Sequence, residues 1–375
     1  LIKIQKRLDF PQEVTMKMFN KTIFLMLVIL LAACAQSTPE KYAATDLSID
    51  PDEEIRKLTV MTHDSFAVSE EVISEFEEAY QAEVQFLASG DTGTALNKAA
   101  LSKNAPLADV FYGVDNTFLS RALNEGIFDP YASPLLEKIP DEFKLDPDNQ
   151  ALPVDYGDVC LNYDLSYFNE LGITPPENLE DLLKPEYRGM LVTENPAVSS
   201  PGLAFLFATI GQFGEDGYLE FWQGLVDNEV KVVNDWETAY YNDFSRWGGQ
   251  YPIVVSYGSS PPFEVIFAES PIEEPPTAAV VGDGSCFRQI EFVGILKGTE
   301  NRDLAEKFID FMLSPKFQED IPLQMYVFPV NSEAQLDPTF VKYLAIPENP
   351  VNLDPDLISE NREKWINAWT ETVLR

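Results

Sequence analysis

Leu58-Thr59-Val60-Met61, Val84-Gln85-Phe86-Leu87 and Ala108-Asp109-Val110-Phe111 are three short apolar runs separated by two segments of helical period. Val72, Phe76 and Tyr80 recur at i, i+4 and i+8 between the first two runs, and Ala95, Ala99 and Ser102 share a face between the second and third. A further helix is expected over residues 116–124, stopped by Gly126. Runs of this length and composition read as buried strands. Their alternation with helices predicts parallel βαβ units and an α/β fold.

The same alternation returns beyond Asp155. Runs at 159–162, 190–193, 230–233 and 252–256 read as strands, again with helices between them. Ser200-Pro201-Gly202 reads as an N-cap with proline at the first helical position, leading into an apolar helix over 203–210. Residues 286–296 form a long strand-like run, followed by helices over 304–313 and 315–319, the second capped at Ser314-Pro315. A last helix over 356–374 carries Ile358, Trp365, Trp369 and Val373 on one face. Two long strands near 151–163 and 286–296 cross between the α/β sets, which predicts two lobes around a cleft.

The composition is that of a soluble globular chain: 375 residues, 45% hydrophobic and 23% charged. That length carries two cores, and the composition excludes collagen-like, disordered and disulfide-framework chains. Charge is the outlier. Lys and Arg number 26 against 62 Asp and Glu, a net charge of −36. So acidic a surface repels phosphate backbones and argues against nucleic acid as a partner. It favours a cationic ligand weakly through encounter rate, although solubility is the plainer account of it.

Met16-Lys17-Met18-Phe19-Asn20-Lys21 is a basic start, and residues 23–33 are an apolar run too short for an ordinary spanning helix. Leu31-Ala32-Ala33-Cys34 resembles the lipobox of bacterial lipoproteins, in which the cysteine is lipidated and becomes the first residue. Residues 1–33 are therefore expected to be an upstream segment and signal peptide, starting at Met16 or Met18, and residues 34–56 a polar tether. The mature protein is expected outside the cytoplasm, anchored to the cell membrane by lipid without spanning it. Cys160 and Cys286 remain, and an oxidising exterior favours a bond between them.

Ligands of open α/β sheets sit beyond the carboxyl ends of the strands. The first half places Thr62-His63-Asp64-Ser65-Phe66, Ser89-Gly90-Asp91-Thr92-Gly93-Thr94 and Gly113-Val114-Asp115-Asn116 there. The second half adds Ser199-Ser200-Pro201-Gly202, Asn234-Asp235-Trp236-Glu237-Thr238-Ala239-Tyr240-Tyr241 and Tyr257-Gly258-Ser259-Ser260-Pro261-Pro262-Phe263. The first group is polar and acidic, and the second joins hydroxyls to aromatics. Together they suit a flat, positively charged ligand. A single aromatic is more often core, but Trp236, Tyr240, Tyr257 and Phe263 all fall on or just after strand ends. Catalysis has no comparable support: there is no G-x-S-x-G elbow, no second histidine for a zinc site and no Gly-rich phosphate loop. A non-enzymatic binding protein without a cofactor or resident metal is expected.

In order along the chain, these pieces resemble the thiamine-binding proteins of bacterial ABC importers. The resemblance is carried by residues 62–66, 108–110, 113–116, 153–157, 199–203, 236–240 and 255–261, then by Phe311-Met312-Leu313-Ser314-Pro315-Lys316-Phe317-Gln318, Ile321-Pro322 and Phe328-Pro329-Val330. It covers about residues 57–375. It implies a two-lobed type II periplasmic-binding-protein fold with a hinge of crossing strands. Lobe 1 would hold 57–155 plus 290–330, lobe 2 156–289, and 331–375 would form a C-terminal helical segment. The implied role is capture of thiamine or a thiamine phosphate between the lobes, by a monomer, and delivery to an ABC permease.

Carried over by motif, the pocket comprises His63, Asp64, Ser65, Gly113 and Asp115, then Ser199, Ser200, Trp236, Tyr240, Tyr257, Ser259 and Phe263, and finally Tyr326. Three positions depart from the family pattern: His63 and Phe263 stand where tyrosine is familiar, and Tyr326 where tryptophan is. Asp64 and Asp115 would face the thiazolium charge or the pyrimidine amine. Ser199 and Ser200, at a helix start without a nearby Lys or Arg, would hold a phosphate tail or merely cap the helix. Cys160 and Cys286 each lie on a crossing strand. Crossing strands in such folds run side by side, so a disulfide is expected, with two buried thiols as the alternative. The rival reading is a ferric-ion-binding protein of the same superfamily, using Tyr240-Tyr241, His63 and Asp115 as hard ligands. The aromatic loops at Trp236 and Tyr257 would have no role in an iron site.

Overall fold

The computed structural model describes residues 55–375, so the expected signal segment, Cys34 and most of the tether lie outside the described residues. Among the described residues no helix is long and apolar enough to cross a membrane. Eleven strands there form one mixed sheet. Its first wing is β1 (Arg56–Thr62), α1 (Glu70–Tyr80), β2 (Ala82–Ala88), α2 (Thr92–Leu101), β3 (Val110–Asp115) and α3 (Leu119–Glu125). As expected, β1 pairs in parallel with both β2 and β3.

The second wing follows β4 (Phe128–Asp129) and consists of β5 (Leu152–Asp164), α4 (Leu165–Leu171), β6 (Leu191–Glu194), α5 (Ser200–Asp227) and β7 (Lys231–Val233). A π-helical turn over Thr238–Asp243 leads to β8 (Ile253–Tyr257), α6 (Ser260–Ile266) and β9 (Thr277–Val280). Here β6 pairs in parallel with β7 and β8. The chain then returns through β10 (Phe287–Leu296), α7 (Arg302–Met312), α8 (Pro315–Met325), β11 (Phe328–Pro329), α9 (Pro338–Tyr343) and α10 (Pro355–Val373).

The strand order β2-β1-β3-β10-β5-β8-β6-β7 puts the two long strands in the middle, where β10 and β5 join the parallel wings by antiparallel pairing. Their register runs from Phe287 opposite Val159 to Val293 opposite Leu152, with a slip between Glu291 and Phe292. One step beyond the first pair, Cys160 and Cys286 are bonded, their Cα atoms 4.4 Å apart. The expected disulfide is present, and it closes a 126-residue separation at the end of the central ladder.

Helix boundaries differ from the sequence reading in instructive ways. The N-cap of α5 is Ser199, not Ser200, and its side chain makes no capping bond. This helix runs on to Asp227 through Gly214, whose φ of 73° and ψ of 169° kink it. Its second segment is held by burial of Tyr218, Phe221, Trp222 and Leu225, and that packing overrides the glycines. The start of α3 lies at Leu119 because the Asp115 carboxylate accepts from the Thr117 and Phe118 N–H groups and turns the chain first. The core of the second wing is aromatic: Trp222 meets Trp369 edge to face at 5.4 Å, and Phe207 meets Trp365 at 5.7 Å. Thus α10 packs on α5, and it also reaches α3 of the first wing, where Arg362 Nε donates to the Thr117 carbonyl.

Candidate functional site

The carboxyl ends of the strands and the connections that follow them enclose an open cleft with a cavity of about 190 Å³. His63, Ser65, Asp91 and Thr92 line it from the first wing. Ser200, Trp236, Glu237, Tyr241 and Tyr257 line it from the second. The floor between them is Gln289 and Glu291, which share one face of β10 because strand side chains alternate. Tyr326, at the end of α8, closes one side.

Four rings form the wall. Trp236 stands 5.5 Å from Tyr241, 6.3 Å from Tyr326 and 6.4 Å from Tyr257, centroid to centroid. Its back is covered by Tyr240, 5.0 Å away and 14° from parallel, and its indole N–H donates to Ser256 Oγ at 3.0 Å. Tyr326 is fixed by the Phe263 ring, edge on at 4.1 Å, and by the Ser259 hydroxyl donating to its carbonyl. Tyr257 is tied to the floor, its hydroxyl donating to Gln289 Oε1 at 3.0 Å. Gln289 Nε2 donates in turn to Ser200 Oγ at 2.7 Å, and that hydroxyl donates to Asp115.

The wall faces carboxylates. Burial pushes the Asp91 carboxyl up to about 6, opposed by the Ser199 hydroxyl and the Thr92 N–H. Glu291 is buried as well, yet the charge of His63, 3.4 Å away, holds it below the usual carboxylate range. Burial lowers His63, but Glu291 outweighs it and raises the imidazole above its ordinary value. Behind this pair, Tyr112 Oη lies 2.6 Å from Asp155 and 2.9 Å from Glu291. Desolvation and the Glu291 charge drive the Asp155 carboxyl well up. The Ser200 hydroxyl goes to Asp115, and His63 pairs with Glu291.

Of the sequence-derived set, the structure brings His63, Ser65, Ser200, Trp236, Tyr257 and Tyr326 to the cleft. The others stand behind it. Asp64 is exposed, and its carboxylate accepts from the Gly90 N–H at 2.7 Å, pinning the loop after β2. Asp115 is fully buried, bonded to Thr117 and Ser200. Gly113, at φ 102°, leaves the space that the His63 ring fills, because a Cβ would collide with that ring. Ser199 is buried beside Asp91 without meeting hydrogen-bond geometry, while Tyr240, Ser259 and Phe263 back the aromatic wall. Asp91, Glu237, Tyr241, Gln289 and Glu291 were not selected from the sequence. The signal available was an acid, Glu291, set between the apolar residues Ile290 and Phe292 of a long strand.

An iron site does not assemble from the residues named for it. The Tyr240 phenol donates to Glu264 at 2.9 Å, away from Tyr241, whose ring stands at 90° to it. Among the described residues no group of three or more His, Cys, Asp or Glu is placed to hold a metal ion.

Residues 105–361 match the family model for bacterial extracellular solute-binding protein. The chain belongs to that family. Within these solute-binding proteins it is 30% identical over 325 residues to the thiamine-binding periplasmic protein of Brucella abortus, covering 85% of this chain and 92% of that one. A solved periplasmic thiamin binding protein superposes with a TM-score of 0.74 at 28% identity, covering 86% of this chain and 97% of the other. The similarity to iron uptake protein A2 of Synechocystis sp. is more distant, 24% identity over 67% of this chain and 72% of the relative. The sheet therefore has the two-winged α/β architecture of periplasmic binding proteins, with β5 and β10 as the crossing strands.

Proposed function

We propose that the protein captures thiamine, or one of its phosphates, in this cleft outside the cytoplasm and passes it to an ABC permease. The observation that carries the reading is one cleft lined both by the rings of Trp236, Tyr241, Tyr257 and Tyr326 and by the carboxylates of Asp91, Glu237 and Glu291. A planar cation is held by ring faces, at roughly 0.5–2 kcal/mol each according to desolvation, and by the carboxylates that share the cleft. The relatives named above support the choice of cation.

In this reading the wings act as lobes, 57–155 with 290–330 against 156–289, and move about β5 and β10 when ligand bridges them. A ligand that touches both wings binds the closed arrangement better than the open one, and this difference is what shifts the equilibrium. The protein works as a lipid-anchored monomer, tethered through Cys34. Titration calorimetry with thiamine tests the central claim: one binding event per chain with a sub-micromolar dissociation constant is expected, and no heat with thiamine or either phosphate rejects it.

A further inference from the structure

A second hollow adjoins the cleft on the first wing. It lies between α1 and the end of β2, holds about 470 Å³, and is lined by Phe66, Val68, Ile73 and Phe86 together with Glu70 and Glu77. Only Gln81 separates α1 from β2, so the two run antiparallel and the start of the helix stands beside the end of the strand. Val84, Phe86 and Ala88 share one face of β2. There the Phe86 ring meets Phe66 at 5.0 Å and is still 38% exposed. With β2 the outermost strand on this side, an open aromatic groove lies at the sheet edge, a feature that proteins cover or use for binding.

The rim has one sign. Glu70, Glu71, Glu75 and Glu78 stand together along the outer face of α1, and among the described residues Lys316, 2.7 Å from Glu75, is their only ion-pair partner. Glu70 and Glu71 in the first turn suit the helix dipole, but Glu75 and Glu78 lie beyond its reach. This charge decides what can fill the groove. A second copy brings a net charge of −36. The sequence just before β1 brings Glu40, Asp46, Asp50, Asp52, Glu53 and Glu54 against Lys41. Anionic lipid is repelled as well. The complement is a basic segment of another protein that carries an apolar side chain.

His63 and Ala67 line the hollow and the cleft alike, so an occupant of the hollow sits beside the cleft. We infer that the groove docks the membrane partner that receives the ligand, an inference that rests on the delivery reading and adds a place of contact to it. The permease seats an aromatic or aliphatic side chain against Phe66 and Phe86, and its Lys or Arg residues meet Glu70 and the outer face of α1.

Thiamine transport into phosphatidylcholine proteoliposomes holding the cognate permease and its ATPase, measured against the concentration of this protein, tests it. Phe86→Ser and Glu70→Lys should each raise the concentration for half-maximal transport about tenfold, the scale of losing one interface anchor. Calorimetry should find their thiamine affinity unchanged. Leu101→Ser, which removes an exposed leucine outside the groove, should alter neither quantity. With a benzophenone photocrosslinker in place of the Phe86 ring, light should join the protein to a Lys- or Arg-bearing segment of the permease. Unchanged transport in either groove variant, or a cross-link to lipid or to a second copy instead, overturns the docking surface and leaves thiamine capture standing. An unaltered protein that binds thiamine but drives no transport removes delivery and the docking surface together. One that binds no thiamine removes the proposed function itself.

Discussion

His63 Nε2 lies 3.4 Å from Glu291 Oε1, with both side chains buried at the floor of the cleft. His63 is raised above its ordinary 6.5 and Glu291 held below its ordinary 4.5, so both are charged between those values. The His63 contribution to stability is complete below pH 6.5 and is lost as pH rises through its raised value, whereas the Glu291 contribution is lost on acidification through its lowered value. Deprotonation of His63 leaves Glu291 uncompensated and makes the cleft more negative. Thiamine affinity should therefore rise severalfold between pH 5.5 and pH 8, with Asp91 adding to the change near 6. His63→Gln should reduce that slope, as calorimetry across pH would read. An unchanged or reversed slope would take the pair out of the binding electrostatics.

Trp236 and Trp222 separate binding from stability. Trp236 faces the cleft, so Trp236→Ala should weaken thiamine about 3- to 30-fold, the equivalent of roughly 0.7–2 kcal/mol. Trp222 is fully buried, edge on to Trp369 and bonded to Thr209. Trp222→Ala should cost about 3–5 kcal/mol of stability and little affinity in the protein that remains folded. Denaturant melts beside calorimetry would show the split, and equal losses of affinity would contradict it.

The disulfide sits at the end of the β5–β10 ladder, away from the lining of the cleft. Closing a loop of this length contributes up to about 4–5 kcal/mol in the chain-entropy account. Cys160→Ser with Cys286→Ser should lower the melting temperature strongly and thiamine affinity by less than threefold. Thiol titration of the unreduced, denatured protein should find neither cysteine reactive.

Asp115 has its carboxyl raised to about 6, by burial first of all. The folded protein thus holds this proton more tightly than the unfolded chain, so stability falls as pH rises from about 4 to 6. Asp115→Asn should flatten that part of the profile of melting temperature against pH. A slope that is the same in both proteins would place its origin elsewhere.

The strands were legible because their apolar runs are short and bounded by polar loops: β1, β2, β6 and β8 fall within two residues of expectation. Short strands such as β9 and β11 were not, since a run of two to four residues carries no period of its own. The full reach of α5 was hidden by Gly211, Gly214 and Gly217, which look like a stop until Trp222 and Phe221 are seen buried.

In the site, type was easier to read than direction. Asp64 and Asp115 stand at strand ends as expected, but short acids satisfy nearby backbone N–H groups, and both side chains turn to that task. Glu291 was passed over because an acid in a run of Ile, Phe and Val looks like an interruption. Only the pairing of β10 with β3 and β5 brings Asp155, Tyr112 and His63 around it.

The last helix also sets the order in which the molecule can be made. Trp365 and Trp369 of α10 are fully buried, against Phe207 and against Trp222. Until those final residues arrive, the aromatic face of α5 has no cover and α3 lacks the Arg362 contact at its start. A growing chain, or one still threading through a membrane, is therefore a chain with an open core. Such exposed apolar surface invites aggregation or the attention of holding factors. Deleting residues 355–375 would leave a permanently nascent protein, whatever the state of its cleft.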